Sequence, residues 1–182
     1  MIQEIYHFIY VSDMTDVSIT IAILLVIGSV IGAVCHKYMR IIGAVLAVVF
    51  IAVILYITVF SRNERHLGVD LIPFSSFERV KSQPEMYRSM LMNVLLFVPP
   101  GLSLPFVFGG STVKRILLTI LTGFLLSVIV EVIQYFGVLG MAETDDVLCN
   151  TLGTLIGSCA YPLSLLWRKL FREYREKKAP DQ

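Results

Sequence analysis

The chain has 182 residues, of which 56% are hydrophobic and 16% charged, with a formal net charge of +1. A soluble domain carries about 25% charged residues, and here nine of the charged side chains crowd into positions 168–182. These figures exclude a disulfide-bonded extracellular scaffold, a nucleic-acid binder with a basic face and a disordered chain, and they put the protein in a lipid bilayer.

The first sixteen residues contain no Lys or Arg, and no small-residue cleavage site follows the first apolar run, so a cleavable signal peptide is not expected. Crossing the hydrocarbon core takes about 20 apolar residues in a helix, and a lone strand could not satisfy its backbone in lipid. Runs free of Asp, Glu, Lys and Arg predict spans at 17–35, 41–60, 89–108 and 147–167, and a run interrupted only by Glu131 predicts another at 116–139. In the third of these, Pro99, Pro100 and Gly101 predict a kink or a break. Between the second and third spans, the connection 61–88 holds Gly68-Val69-Asp70-Leu71-Ile72-Pro73-Phe74-Ser75-Ser76-Phe77. Such a stretch is too short and too broken to span, so it is expected to lie in the interface or re-enter the bundle. The expected fold is an all-α polytopic bundle of about five transmembrane helices with one re-entrant or interfacial segment, forming a single membrane domain over 1–182 that ends in a basic tail, 168–182.

With five spans, the connections on one side carry five Lys and Arg residues, and those on the other, with the tail, carry ten. The positive-inside rule then predicts a multi-pass cell-membrane protein with its N-terminus outside and its C-terminus in the cytoplasm. Its basic tail would rest against anionic headgroups of the lipid bilayer.

Ionisable groups within hydrocarbon cost at least about 2.5–3.5 kcal/mol each, and here the polar residues of the spans gather towards one side. Arg62 closes span 2 and Asn93 lies near the start of span 3. Glu131 and Gln134 are three residues apart and share a helix face, as do Asp146 and Asn150 at four apart. A rise of about 1.5 Å per residue puts Glu131 roughly 12 Å below the outer end of its span, with Gln134 and Asn150 shallower. Because spans 4 and 5 are joined by a short link, they are antiparallel neighbours. Arg62, Asn93, Glu131, Gln134, Asp146 and Asn150 can then converge on a pocket open to the outer surface, with Asp145 beside it. Glu131 and Asp146 are the candidate general acid and base, and Arg62, Asn93, Gln134, Asp145 and Asn150 the candidate ligand-binding residues.

Plainer roles compete with this one. Asp145 and Asp146 also suit a helix N-terminus capped by Thr144, the two Asn residues suit interhelical hydrogen bonds, and Arg62–Glu131 suits a structural ion pair. Gly153 and Gly157 form a GxxxG face for close packing of another helix, and so offer a helix–helix partner surface. His7, His36 and His66 are scattered and Cys35, Cys149 and Cys159 form no CxxC pair, so no metal or cofactor is expected.

Arg62, Asp70-Leu71-Ile72-Pro73-Phe74, Asn93-Val94-Leu95-Leu96-Phe97-Val98-Pro99-Pro100-Gly101, Glu131-Val132-Ile133-Gln134 and Asp145-Asp146-Val147-Leu148-Cys149-Asn150, in this order, resemble the VanZ-like membrane protein family from about residue 55 to 160. Just before the Asp pair, Met141-Ala142-Glu143-Thr144 departs from the family's usual pattern. The resemblance implies an association with resistance to the glycopeptide teicoplanin. It does not imply a reaction, and whether the protein is an enzyme is left open. The first functional expectation is binding or modification of a cell-envelope component, such as a lipid-linked cell-wall precursor or a glycopeptide. The alternatives are an intramembrane metal-dependent enzyme acting on a polyprenyl or phospholipid substrate, and a small transporter or helix-packing partner of another membrane protein.

Overall fold

The computed structural model describes residues 14–61, 67–80 and 84–178. In chain order the helices are α1 (Met14–Val34), α2 (Met39–Leu55, continued by a π-helical turn, Tyr56–Phe60), α3 (Ser75–Arg79), α4 (Pro84–Val107), α5 (Thr112–Gly137), α6 (Thr144–Ser158) and α7 (Ala160–Lys178). Two four-residue strands, β1 (Leu67–Asp70) and β2 (Gly140–Glu143), pair in parallel, with Leu67 opposite Gly140 and Asp70 opposite Glu143. The chain is thus a bundle of helices, as the uncharged runs predict. Four helices, Met14–Val34, Met39–Phe60, Met86–Val107 and Thr112–Gly137, are long and apolar enough to cross a membrane.

The burial pattern inverts that of a soluble protein. Ile19, Ile23 and Ile27 of α1, Ile41, Val45 and Val48 of α2, and Leu117, Leu121 and Phe124 of α5 face outward, whereas Ser127, Glu131, Gln134, Asp145, Asn150 and Thr154 are buried. Apolar side chains gain nothing by leaving lipid, so packing inside the bundle depends on small residues and interhelical hydrogen bonds.

α4 is the axis of the bundle and packs against α1, α2, α5 and α6. Its closest partner is α6, which runs parallel to it. A Cβ built on Gly153 would overlap the Val94 carbonyl oxygen, one on Gly157 the Val98 carbonyl, and one on Gly101 would come within 2.5 Å of the Thr154 carbonyl. The GxxxG face is therefore taken up by α4 of the same chain and is not open to a partner helix, which corrects the sequence expectation. α1 lies parallel to α4, with Gly28 against Leu102 and Gly32 against Phe106. α2 and α5 run the opposite way, meeting α4 and α6 through Gly43 at Ser103 and Gly123 at Thr154. Ile54, Phe97 and Val130 join α2, α4 and α5 in one apolar cluster, and Met90, Val94 and Cys149 join α4 to α6.

Of the kink or break expected at Pro99–Gly101 the break does not occur, and the fifth span is not one continuous helix. α4 continues through Pro99, Pro100 and Pro105 without a break. Contacts from neighbouring helices hold it, and Ser103 Oγ and Arg115 Nη1 donate to the Pro100 and Pro105 carbonyls at 3.1 and 3.0 Å. The single fifth span instead divides at Cys159, between α6 and α7. Pro162 explains the division, because its ring has no N–H for the Ser158 carbonyl and would collide with it. Beyond the division α7 remains helical to Lys178, so most of the basic tail extends a helix that packs on α1, where Trp167 Nε1 donates to Ser29 Oγ at 3.1 Å. Within the connection 61–88 the described residues take up regular structure. It contributes β1, which pairs with the link between α5 and α6, and then α3.

A polar cavity between four helices

A cavity of about 560 Å³ lies at the end of the bundle where α4 and α6 begin and α2 and α5 finish. One wall is apolar, made by Val49, Phe50 and Val53 of α2 and Leu95, Leu96 and Pro99 of α4. The other is polar, made by Glu131 and Gln134 of α5 and Asp146 and Asn150 of α6, with Asn93 of α4 also lining the space. Helical spacing accounts for this grouping, since residues three or four apart present to one side. The short β2 link then brings the two faces together.

The hydrogen bonds give these groups fixed orientations. Gln134 Nε2 donates to the Thr58 carbonyl at 3.0 Å. Thr58 lies in the π-helical last turn of α2, where carbonyls lack partners in their own helix. A carbonyl can only accept, so the Gln134 amide is oriented with its oxygen directed elsewhere. Asn150 Nδ2 donates to Ser127 Oγ at 2.8 Å, tying α6 to α5. Gln134 Oε1 and Asn150 Oδ1 are both buried and accept no hydrogen bond among the described residues. Leaving a buried polar group unmade costs about 1–3 kcal/mol, so two such acceptors lining one cavity are a costly arrangement.

Glu131 is 7% exposed, and its Oε2 accepts the Glu143 backbone N–H of β2 at 3.1 Å. It also borders a second, apolar cavity of about 350 Å³ with Val69, Leu71, Val132, Tyr135, Phe136 and Val147. Its carboxyl group therefore stands on a partition between a mixed cavity and an apolar one.

Asp145 stands apart from the cavity. Its carboxylate, 1% exposed, accepts the Phe74 backbone N–H at 2.6 Å and the Ser76 N–H at 2.7 Å. The two adjacent aspartates thus diverge: Asp146 faces the cavity and Asp145 clamps the start of α3, where Phe74 is held in the left-handed region at φ 68°. Asp145 is a structural acceptor here, not a wall of the cavity. Thr144 opens α6 as its first residue, and Glu143, with extended backbone, occupies the cap position expected of Thr144. Arg62, and with it the expected Arg62–Glu131 pair, lies outside the described residues.

Sequence reasoning missed the polar knot that completes this end of the bundle. Arg79 Nη2 pairs with Asp70 Oδ2 at 2.7 Å and lies 3.5 Å from Glu143 Oε2, bridging the two strands. Ser75 Oγ donates to Asp70 Oδ2 at 2.7 Å, and Ile72 N–H to Asp70 Oδ1 at 3.1 Å. The Ser75 hydrogen bond, then the Ile72 amide, and to a lesser degree the Arg79 charge hold the Asp70 carboxyl below the usual carboxylate range, despite opposing desolvation. The available signal was the spacing of Asp70, Ser75 and Arg79, which places two partners on one face of α3. Among the described residues, no three His, Cys, Asp or Glu side chains stand together in a way that could hold a metal ion.

Comparison with known proteins gives two matches. Residues 41–168 match the model of the VanZ/LLP1 family. Protein VanZ of Enterococcus faecium is 31% identical over 110 residues, a stretch that covers 59% of this chain and 60% of that protein. The chain therefore spans less than two thirds of that relative's length. No solved structure matches.

Proposed function

The chain belongs to the VanZ/LLP1 family of membrane proteins, and from that premise we propose that its four-helix cavity binds an amphipathic component of the cell envelope. One observation carries this reading: Gln134 Oε1 and Asn150 Oδ1 are buried acceptors with no donor among the described residues, lining the same cavity. A ligand bearing hydroxyl or amide N–H groups supplies the missing donors, while its lipid portion lies along Val49, Phe50, Val53, Leu95 and Leu96. Lipid-linked cell-wall precursors and lipoglycopeptides such as teicoplanin both combine these chemistries, which is how the cavity would bear on glycopeptide resistance. Asn93, Glu131 and Asp146 complete the ligand's polar surroundings, and Arg62 is a further candidate from the sequence, next in the chain to Ser61, which lines the cavity. In a modifying reaction, Glu131 and Asp146 are the two carboxyl groups within the cavity that can exchange protons.

The bias of Lys and Arg supports an orientation with the N-terminus outside and the C-terminus in the cytoplasm. With α6, which runs parallel to α4, taken as the fifth crossing, the cavity opens towards the outer surface. Nothing favours the metal-dependent alternative, because Asp145 and Asp146 do not face a common point.

Native mass spectrometry of protein purified in mild detergent and mixed with a polyprenyl-linked disaccharide-peptide tests the binding. We expect one molecule retained by the native chain and at least tenfold less retained by Gln134→Leu and by Asn150→Leu, with helical content unchanged. Equal retention by both variants removes the cavity from the account. In cells, Glu131→Gln at matched expression is expected to abolish any teicoplanin protection that the native chain confers.

A further inference from the structure

The opposite end of the bundle carries a second polar chamber, and its chemistry is the reverse of the first. It encloses about 270 Å³ where α1 and α4 finish and α2 and α5 begin. Arg40 of α2, Arg115 of α5 and Arg168 of α7 line it together with His36. Among the described residues no carboxylate lines the chamber, and none is ion-paired with these three arginines. Positive charge from three separate elements is thus converged on one space without a counter-ion among the described residues.

Arg115 is built in as a fixed member. Its Nε donates to the Gly110 carbonyl and its Nη1 to the Pro105 carbonyl, both at 3.0 Å. Its guanidinium lies 4.9 Å from the centre of the Tyr161 ring, which in turn stacks edge-on against Phe106 at 5.3 Å. A guanidinium has five N–H donors, so two engaged with carbonyls leave three for a ligand, held at a set angle. Arg40 and Arg168 are exposed and free to swing over the opening. A planar fork anchored by backbone carbonyls and aromatic stacking suits a phosphate, where a Lys would offer only a point charge.

We infer that this chamber is a phosphate-binding site, recognising either the headgroup of an anionic membrane lipid or a soluble phosphate. Phe106, Val107 and Leu165 at the same chamber give a lipid's glycerol and first methylenes an apolar seat. This inference is independent of the cavity at the other end, since the two share no residue.

The test uses the full chain in mild detergent with two probes. In the first arm, native mass spectrometry is run with equimolar dioleoyl phosphatidylglycerol and dioleoyl phosphatidylcholine. In the second, thermal unfolding is followed with inorganic phosphate against chloride at equal ionic strength. The native chain is expected to retain one phosphatidylglycerol in preference to phosphatidylcholine, and Arg115→Gln and Arg168→Gln to lose that preference by about tenfold. Lys177→Gln, a basic residue of the same helix away from the chamber, should keep it. Arg168→Gln removes an exposed side chain and so reports on binding even if Arg115→Gln disturbs the 105–110 corner. A response to inorganic phosphate that both arginine variants abolish, without lipid preference, assigns the site to a soluble phosphate. Neither lipid preference nor a phosphate response, or an equal loss in Lys177→Gln, overturns the inference.

Discussion

Replacing Asp145 by Asn removes the charge from a carboxylate whose two oxygens each hold a backbone amide, Phe74 at 2.6 Å and Ser76 at 2.7 Å. The carboxamide can keep one bond through its oxygen, but it turns an NH₂ group towards the other amide. A hydrogen bond to an ionised acceptor contributes about 1.5–3 kcal/mol, so losing one of the two, and weakening the other, should cost the segment about 2–4 kcal/mol. The loss is local. Packing of α4 on α6 through Gly153 and Gly157 does not involve the 70–79 segment, so the bundle itself should stay folded. Hydrogen exchange of the purified protein reads this directly. The amides of Phe74 and Ser76 should exchange at least about 30-fold faster, since 1.4 kcal/mol is a factor of ten, while amides in α4 and α5 keep their native protection. Asp146→Asn, whose side chain lines the cavity, should leave the Phe74 and Ser76 amides protected. Unchanged exchange in Asp145→Asn would refute the clamp, and a uniform rise across all helices would show that its effect is not local.

Three other outcomes follow from the same geometry. Gly157→Ala should destabilise the bundle by about 1–3 kcal/mol or more, because its Cβ meets the Val98 carbonyl and, at 2.8 Å, the Leu102 nitrogen; Gly109→Ala, with nothing within 4 Å of the new Cβ, should leave the melting temperature in detergent unchanged. Acid should loosen the strand–α3 region first: Asp70 has a folded pKa below its unfolded value, so its contribution is full above about pH 4 and disappears as pH falls through the lower folded value. Proteolysis within 70–80 should therefore rise with acidification, and Asp70→Asn should show raised proteolysis at neutral pH with a weaker acid response. Trp167→Phe deletes the bond to Ser29 and should cost about 1 kcal/mol, measured as a lowered unfolding midpoint.

Much of this arrangement is written in short-range pattern. Uncharged runs of bilayer length mark α1, α2 and α4, a run broken only by Glu131 marks α5, and the i, i+3 and i, i+4 spacings of Glu131 with Gln134 and Asp146 with Asn150 place those four side chains towards a common space. What the sequence does not show depends on partners far along the chain. Whether Asp145 caps its own helix or holds a loop is decided by amides some 70 residues earlier. Two four-residue strands are too short to show an alternating pattern, and their pairing needs the α5–α6 link to lie beside the end of α2. The GxxxG face is legible as a packing surface, yet nothing local says that its partner is α4. Proline is ambiguous for the same reason. Pro99 and Pro100 sit in a helix supported from several sides and leave it continuous, whereas Pro162 follows the end of the α4 contact and divides α6 from α7.

The most direct measurement of the central claim is photo-crosslinking from inside the cavity in growing cells. A benzophenone side chain replaces Phe50, which lines the cavity, and in a separate chain Phe124, which faces outward. The account predicts that position 50 captures a lipid-linked envelope molecule bearing hydroxyl or amide groups, that Gln134→Leu removes this adduct, and that position 124 captures only bulk phospholipid. The same bulk phospholipid adducts from both positions, untouched by Gln134→Leu, would contradict it.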